Sequence, residues 1–265
     1  MKNTMNENYR KRVMLLAVKA GTIMMKSGAE IYRVEETITR ICQACGIEYV
    51  NVFAMPTGIF VSVDDDKGSD NTVAQIKRIT SSETNLNKIS QVNDFSRKFT
   101  TTDMTLEEGE KKLDEIDRGK KLPFWSRVLG ASAVASCFSV LFGGGAIDFL
   151  CAFIIGAFSY TLSRFLEKYE INFFIRGMVC TGFAAFAALV LAASIHGAEY
   201  VHIITGCIML FVPGVPITNS IRDFLSGDMV SGLARMTEAI LIAISLAAGA
   251  GIVIKLWDML GGVVL

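Results

Sequence analysis

The sequence predicts an α-helical integral membrane domain of about five transmembrane helices, one of them broken, preceded by a cytoplasmic α+β domain. Three observations carry this. Charge is unevenly shared: residues 1–122 hold 19 of the 26 Lys and Arg and 18 of the 26 Asp and Glu, whereas residues 123–265 keep 7 and 8. The second part otherwise falls into long apolar runs separated by glycine-containing turns. One of those runs, 201–212, stops after about a dozen residues, short of the roughly 20 that a bilayer span needs. The sequence Pro213-Gly214-Val215-Pro216 ends it, and a polar stretch follows. The expected boundary is therefore 1–122 for the soluble domain and 123–265 for the membrane domain, each of ordinary domain size.

The soluble part opens with an amphipathic helix over 8–26, apolar at Val13, Leu16, Ala17, Ala20, Ile23 and Met24. Ser27-Gly28 breaks or kinks it. A second helix over 29–45 carries Ile31, Val34, Ile38 and Ile41 on one face, and Gly46 sits where a C-terminal cap glycine belongs. Residues 48–54 and 58–64 are rich in β-branched and aromatic residues and read as two strands joined tightly at Met55-Pro56-Thr57. The pattern over 72–80 fits either a third strand or a helical turn. Charged amphipathic helices are expected over 86–99 and 106–118, the latter a solvated surface helix.

The membrane part predicts spans over 124–142, 147–166, 172–195, 200–212 and 233–257. Turns at Gly143-Gly144-Gly145 and His196-Gly197-Ala198 separate them. The fourth is short; it is either completed by helix beyond Pro216 or re-entrant. Arg127, Arg164, Lys168, Arg176, Arg222 and Arg235 fall on one side, and only Lys255 lies near the other. Basic residues favour the cytoplasmic side. The expected topology has the N-terminal domain inside the cell membrane and the C-terminus outside. The polar N-terminus leads to no expectation of a signal peptide, and zero net charge gives no support for a nucleic-acid partner.

Discontinuous helices often mark transporter substrate sites, because irregular backbone is tolerated at membrane depth only where protein or a cavity encloses it. Pro213 and Pro216 lack backbone donors, and Gly214 eases the turn. Pro216 suits the first position of a new half-helix. The free N–H groups near Ile217, Thr218 and Asn219 would then face a carboxylate. Thr218, Asn219 and Ser220 suit an amino or hydroxyl group, and Arg222 and Asp223 complete the set. A polar loop before the last span is the alternative, with Gly227-Asp228 only a turn. Gly214→Leu is expected to impair transport more than Ala188→Leu, position 188 being read as outward-facing. Glu238, three residues after Arg235 and about one turn into the last span, is either a proton carrier or the partner of Arg235 or Arg222. Asp148 reads as a helix N-cap or a wet gate residue. Arg176 reads as a snorkelling cation or a counter-charge for a substrate carboxylate.

Other chemistry is sparsely supported. Cys42 and Cys45 form a lone C-x-x-C on a helix and read as buried small residues. Cys137, Cys151, Cys180 and Cys207 read as free thiols. His196 and His202 lack a metal spacing. The acidic stretch 64–70 reads as a solvated hairpin tip, not a calcium loop. No phosphate-binding loop is present, so ATP-driven action is unsupported. No metal or cofactor is expected. A second function class remains: a membrane-anchored enzyme or regulatory subunit, with Glu30, Arg33, Glu35 and Glu36 near Pro56 and Thr57 as its site. Arg33 and Glu36 are spaced to pair on the helix surface.

Three stretches carry a family resemblance: S-G-A-E-I-Y-R-V-E-E-T-I at 27–38, M-P-T-G-I-F-V-S at 55–62, and P-G-V-P-I-T-N-S-I-R-D-F-L-S-G-D-M-V-S-G-L-A-R-M-T-E-A at 213–239. With the hydropathy, they cover nearly the whole chain. The chain resembles the threonine/serine exporter family, in its split type. The resemblance implies a soluble domain plus five spans. It implies a secondary exporter rather than an enzyme, moving small hydroxylated amino acids, or dicarboxylates such as succinate in the split type, with an ion gradient. It also implies a second small membrane subunit supplying the half that fused members carry after the region seen here. Homo-oligomerisation is left open.

Overall fold

The computed structural model describes residues 7–64, 72–80, 83–119 and 122–261. The acidic stretch beyond Asp64 lies outside the described residues. By contact, the chain divides into two units, Met1–Lys120 with Val215–Met236, and Lys121–Gly214 with Thr237–Leu265.

The first unit is built around α1 (Glu7–Lys26). Its periodicity predicts one apolar face, yet Met14, Leu16, Ala17, Ala20 and Met24 are all essentially buried, and so is Arg10. The reason is that α1 is touched from several sides. It contacts α2 (Ile31–Ala44), the strands β2 (Gly58–Asp64) and β3 (Val73–Arg78), and the helices α3 (Leu86–Thr101) and α4 (Leu106–Arg118). Gly21 provides the closest seat, against Ile38. At its C-terminus α2 ends as the glycine predicts: Gly46 has φ 82°, and Ile47 N–H returns to the carbonyl of Cys42. Thr105 and Glu108 form a reciprocal cap at the start of α4.

The sheet has the order β1-β2-β3 and is antiparallel throughout, β1 being Tyr49–Met55. Met55 pairs with Gly58, so Pro56-Thr57 is a two-residue turn. Residues 73–78 are a strand, which settles the ambiguous pattern there. Ile59, Val61 and Val63 face the core, while Phe53, Phe60 and Ile76 lie exposed in cross-strand register on the other face.

The second unit holds α5 (Phe124–Leu141), α6 (Ala146–Lys168), α7 (Phe173–Ser194) and α8 (Tyr200–Ile208). It also holds the larger part of α10 (Met229–Met259), which enters from the first unit as α9 (Gly214–Leu225) leaves for it. Among the described residues four helices, α5, α6, α7 and α10, are long and apolar enough to cross a membrane. The short fourth element expected over 200–212 is shorter still: its helix stops at Ile208 after nine residues. Turns at 209–211 lead to Pro213, which cannot donate a helical hydrogen bond. The last helix begins at Met229, four residues earlier than expected.

Small residues bring these helices together, as expected where lipid supplies no hydrophobic drive between them. A Cβ on Gly206 of α8 would collide with the α5 backbone at Ala135 and Ser139, and one on Gly249 of α10 with Met178 of α7. Thr181 Oγ1 donates 3.0 Å to the Leu246 carbonyl, tying α7 to α10. Ala188 is fully buried, so the reading of it as an outward position is wrong. One face of a helix that meets several neighbours is not distinguishable by apolar spacing when every face is apolar.

Candidate functional site

The polar motif at 214–238 finds its partners in the short segment that joins α1 to α2. Ser27 and Gly28 turn the chain there, Gly28 with φ 81°, and residues 28–31 present successive backbone groups. Asn219 Nδ2 donates to the Gly28 carbonyl at 2.7 Å. Arg235 Nη2 donates to the Ala29 carbonyl at 2.7 Å. Ile31 N–H, the first amide of α2, donates to Asp223 Oδ1 at 3.2 Å. A helix leaves its first amides without internal partners, and a short side chain at the N-cap normally takes one. Glu30 occupies that N-cap position in extended conformation but makes no capping bond. Asp223, 192 positions away, caps α2 instead.

Three ion pairs surround the cap. Arg235 Nε lies 3.3 Å from Asp223 Oδ2, with the two side chains 9% and 0% exposed. Glu30 is held between Arg33, at 3.1 Å, and Arg222. The other side of α9 rests on the start of α10: Ser220 Oγ donates to the Gly232 carbonyl at 2.8 Å, and Phe224 lies where a Cβ on Gly232 would sit. Asp223 Oδ2 has no hydrogen bond despite its burial. Burial pushes the Asp223 carboxyl above its ordinary range, as do Asp228 and Glu30, against the pull of Arg235 and the Ile31 amide. Burial also acts to raise Glu30, but its own backbone amide, Arg222 and Arg33 outweigh it and hold the carboxyl below the ordinary range.

The other sequence-derived residues fall as follows. Helix α9 starts at Gly214, so Pro216 is its third residue and not its first; Pro213 lies just before it, buried. Gly214 takes no left-handed conformation, and a Cβ there would meet open space. Thr218 is exposed. Asp228 is half-buried and donates its amide to the Asp223 carbonyl. Glu238 is exposed and lies about two and a half turns into α10. The expected Arg235–Glu238 and Arg222–Glu238 pairings give way to Asp223 and Glu30, which approach from other segments. Arg33 pairs with Glu30 rather than Glu36, and Glu36 pairs with Arg40. Glu35 is the residue that reaches the sheet, accepting from Ala54 N–H at 2.8 Å, and burial raises its carboxyl. Glu35 and Glu36 line a groove of about 590 Å³ between α2 and β1, while Glu30 belongs to the α9 cluster and Pro56-Thr57 to the hairpin tip. The expected N-domain site is thus not assembled. Cys42 is buried, and its thiol is pushed up to about 12 by burial, as for an inert core residue.

In the second unit Asp148 is the third residue of α6 and not its N-cap. It accepts from the Gly145 amide at 2.9 Å and from the Glu199 amide at 2.7 Å, joining the starts of α6 and α8. His202 Nδ1 stands 3.6 Å from Asp148 and 3.2 Å from Glu199. The sequence weighed His202 only as a metal ligand with His196; its approach to Asp148 joins residues distant in the chain, which local spacing does not show. Arg176 lies 3.6 Å from Glu167, which also pairs with Arg164. Among the described residues, no group of His, Cys, Asp and Glu is arranged to hold a metal ion.

The family model described as "Putative threonine/serine exporter" matches residues 15–257. A "Threonine/serine exporter" of Corynebacterium glutamicum is 27% identical over 94% of this chain and 52% of its own length. A "Probable succinate transporter subunit YjjP" of Klebsiella aerogenes is 22% identical over 97% of this chain and 98% of its own. The chain thus spans about half of the first relative and nearly all of the second. No solved structure matches. These are names of membrane transporters, not enzymes, in keeping with four apolar helices of spanning length. The chain belongs to the threonine/serine exporter family.

Proposed function

We propose that this chain is a subunit of a secondary exporter that moves small carboxylate-bearing solutes out of the cell. The solutes are threonine- or serine-like amino acids, or dicarboxylates such as succinate, and an ion gradient drives them. The observation that carries the reading is the break at 209–213, followed by a helix whose polar groups are buried: Asn219, Ser220 and Asp223. Discontinuous helices followed by polar side chains are where transporters often hold their solutes. We assign Pro213, Gly214, Pro216, Thr218, Asn219, Arg222 and Asp223 to the substrate site. We assign Glu238, Arg235, Asp228, Asp148 and Arg176 to coupling and gating.

In the described conformation Asn219, Arg222, Asp223 and Arg235 have partners within the protein, so a solute must compete for them. This is a closed site, and transport requires α9 to leave residues 28–31. We place the N-terminal domain in the cytoplasm of the cell membrane, with five crossings, α8 and the break after it supplying the interrupted one. Arg127 at the start of α5, Arg164 and Lys168 at the end of α6 and Arg176 at the start of α7 support that orientation. A second small membrane subunit completes the transporter.

The test is efflux of preloaded threonine and of preloaded succinate from cells expressing the chain, alone and with a candidate membrane partner. Faster efflux of either solute with the partner supports the reading. Efflux equal to that of empty cells in every combination removes it.

A further inference from the structure

The sheet of the first unit has an edge that its own sequence leaves unguarded. Strand β1, Tyr49–Met55, contains no charged residue, proline or glycine, and it pairs with β2 in unbroken register, without a bulge. Edge strands are normally blunted by such devices, because a bare row of N–H and C=O groups invites a further strand. Strand β3, at the opposite edge, carries Lys77 and Arg78. Among the described residues no strand pairs with the outer side of β1. Glu35 shows which groups point there. Its carboxylate accepts from the Ala54 N–H at 2.8 Å, so the backbone of Ala54 is turned away from β2, and by alternation so is that of Val52 and Val50. Glu35 thus closes one end of the edge and leaves Val50 and Val52 open to a strand. Beside them runs the groove of about 590 Å³, walled by Tyr32, Glu36, Thr39, Arg40 and Gln43 of α2.

We propose that β1 is the seat of a two-fold contact with a second copy of this chain, β1 antiparallel to β1 and centred on Asn51. The register follows from Glu35. With the Ala54 amide engaged, the window from Val50 to Val52 remains, and a pairing centred on Asn51 uses all of it: Val50 of each copy exchanges both backbone bonds with Val52 of the other. Val50 and Val52 pack against the core, so opposed residues of the two copies share a face and a six-stranded sheet results. On its outer face the two Asn51 side chains meet at the axis. Phe53, 55% exposed in one chain, stands opposite Tyr49 of the other copy, an aromatic cross-strand pair. An axis perpendicular to the sheet also sets the two α2 helices antiparallel. Glu36 and Arg40 pair one turn apart on α2 and have opposite signs. Each copy therefore offers a cation to the other's glutamate and an anion to its arginine, whereas a wall of one sign would repel its own copy. This self-complementarity favours a second copy over an unrelated strand. The contact does not rest on the substrate-site reading above.

The test is the mass of the full chain in detergent micelles, followed by light scattering over a dilution series. The parent should be a dimer that dissociates on dilution. Asn51 is exposed on the outer face, so Asn51→Lys and Asn51→Asp should each fold, and each sets like charges opposite one another at the axis. Either variant alone should weaken the dimer about tenfold or more. An equimolar mixture of the two should restore association, because unlike copies then attract. Val52→Pro removes an outward amide, spares the ladder to β2, and should also dissociate the dimer. In membranes, oxidation with copper phenanthroline should cross-link Asn51→Cys into a species of twice the chain mass, above the level given by the native cysteines of the parent, since facing residues of a non-hydrogen-bonded pair have Cα atoms about 4.5 Å apart. Ile76→Cys, on the far strand and 69% exposed, should stay at the parent's level. A monomeric parent, a dimer undisturbed by Asn51→Lys and Asn51→Asp, or equal cross-linking by Ile76→Cys overturns the proposal. So does an Asn51→Cys product of any other mass, which would mean that a different polypeptide occupies the edge.

Discussion

Asn219 gives the most direct test at the scale of one side chain. It is 7% exposed and donates to the Gly28 carbonyl. Asn219→Ala removes one neutral hydrogen bond, worth about 0.5–1.5 kcal/mol. The expected result is normal protein abundance with solute efflux that saturates at higher internal concentration. Loss of protein from the membrane would mark the residue as structural instead. Glu238 is a different case, because it is exposed on α10 and takes no part in the buried pairs. If it couples transport to an ion gradient, Glu238→Gln lowers gradient-driven efflux and leaves solute counterflow intact. Equal efflux by both forms across a range of pH would move the coupling role to the buried aspartate.

At the scale of elements, the outlines of the helices and strands were legible in the sequence, while the contacts of the site were not. Period-2 and period-3.6 patterns place β1, β2, α3 and α4 because each has one wet face. Proline and glycine place the break. What local pattern cannot carry is a partnership across 192 positions: Glu30 looks like part of a surface helix, and only the structure shows that its N-cap position is left to Asp223. The signal was present but mute, in that glutamate is a weak N-cap residue and the first α2 amide needed another acceptor. Uniformly apolar spans hide their facing for a related reason, as Ala188 shows. The glycines set a ranking of their own for stability. Gly206→Leu should destabilise strongly, because the α5 backbone at Ala135 and Ser139 cannot yield; overpacking a core commonly costs about 1–3 kcal/mol. Gly214→Leu meets open space and should be mild. Comparing the thermal stability of the two variants in detergent checks this, and equal losses would contradict it.

At the scale of the whole chain, the basic residues at the ends of α5, α6 and α7 predict a cytoplasmic N-terminal domain and an external C-terminus. A reporter fused after Leu265, which lies outside the described residues, should be active only in its extracytoplasmic form; a cytoplasmic signal would remove the five-crossing arrangement. The cap on α2 has a further consequence, for the order in which the chain comes off the ribosome. Synthesis proceeds at roughly 5–20 residues per second, and the N-terminal domain can begin to fold first. Its second helix nevertheless waits with an open end until residue 223 has emerged. Through that interval the carbonyls of Gly28 and Ala29, the Ile31 amide and Glu30 face water, and a nascent chain stalled near residue 150 should be cut by protease at 27–31 while one stalled beyond 260 resists. Equal resistance at both lengths would mean that the early domain matures without its distant cap.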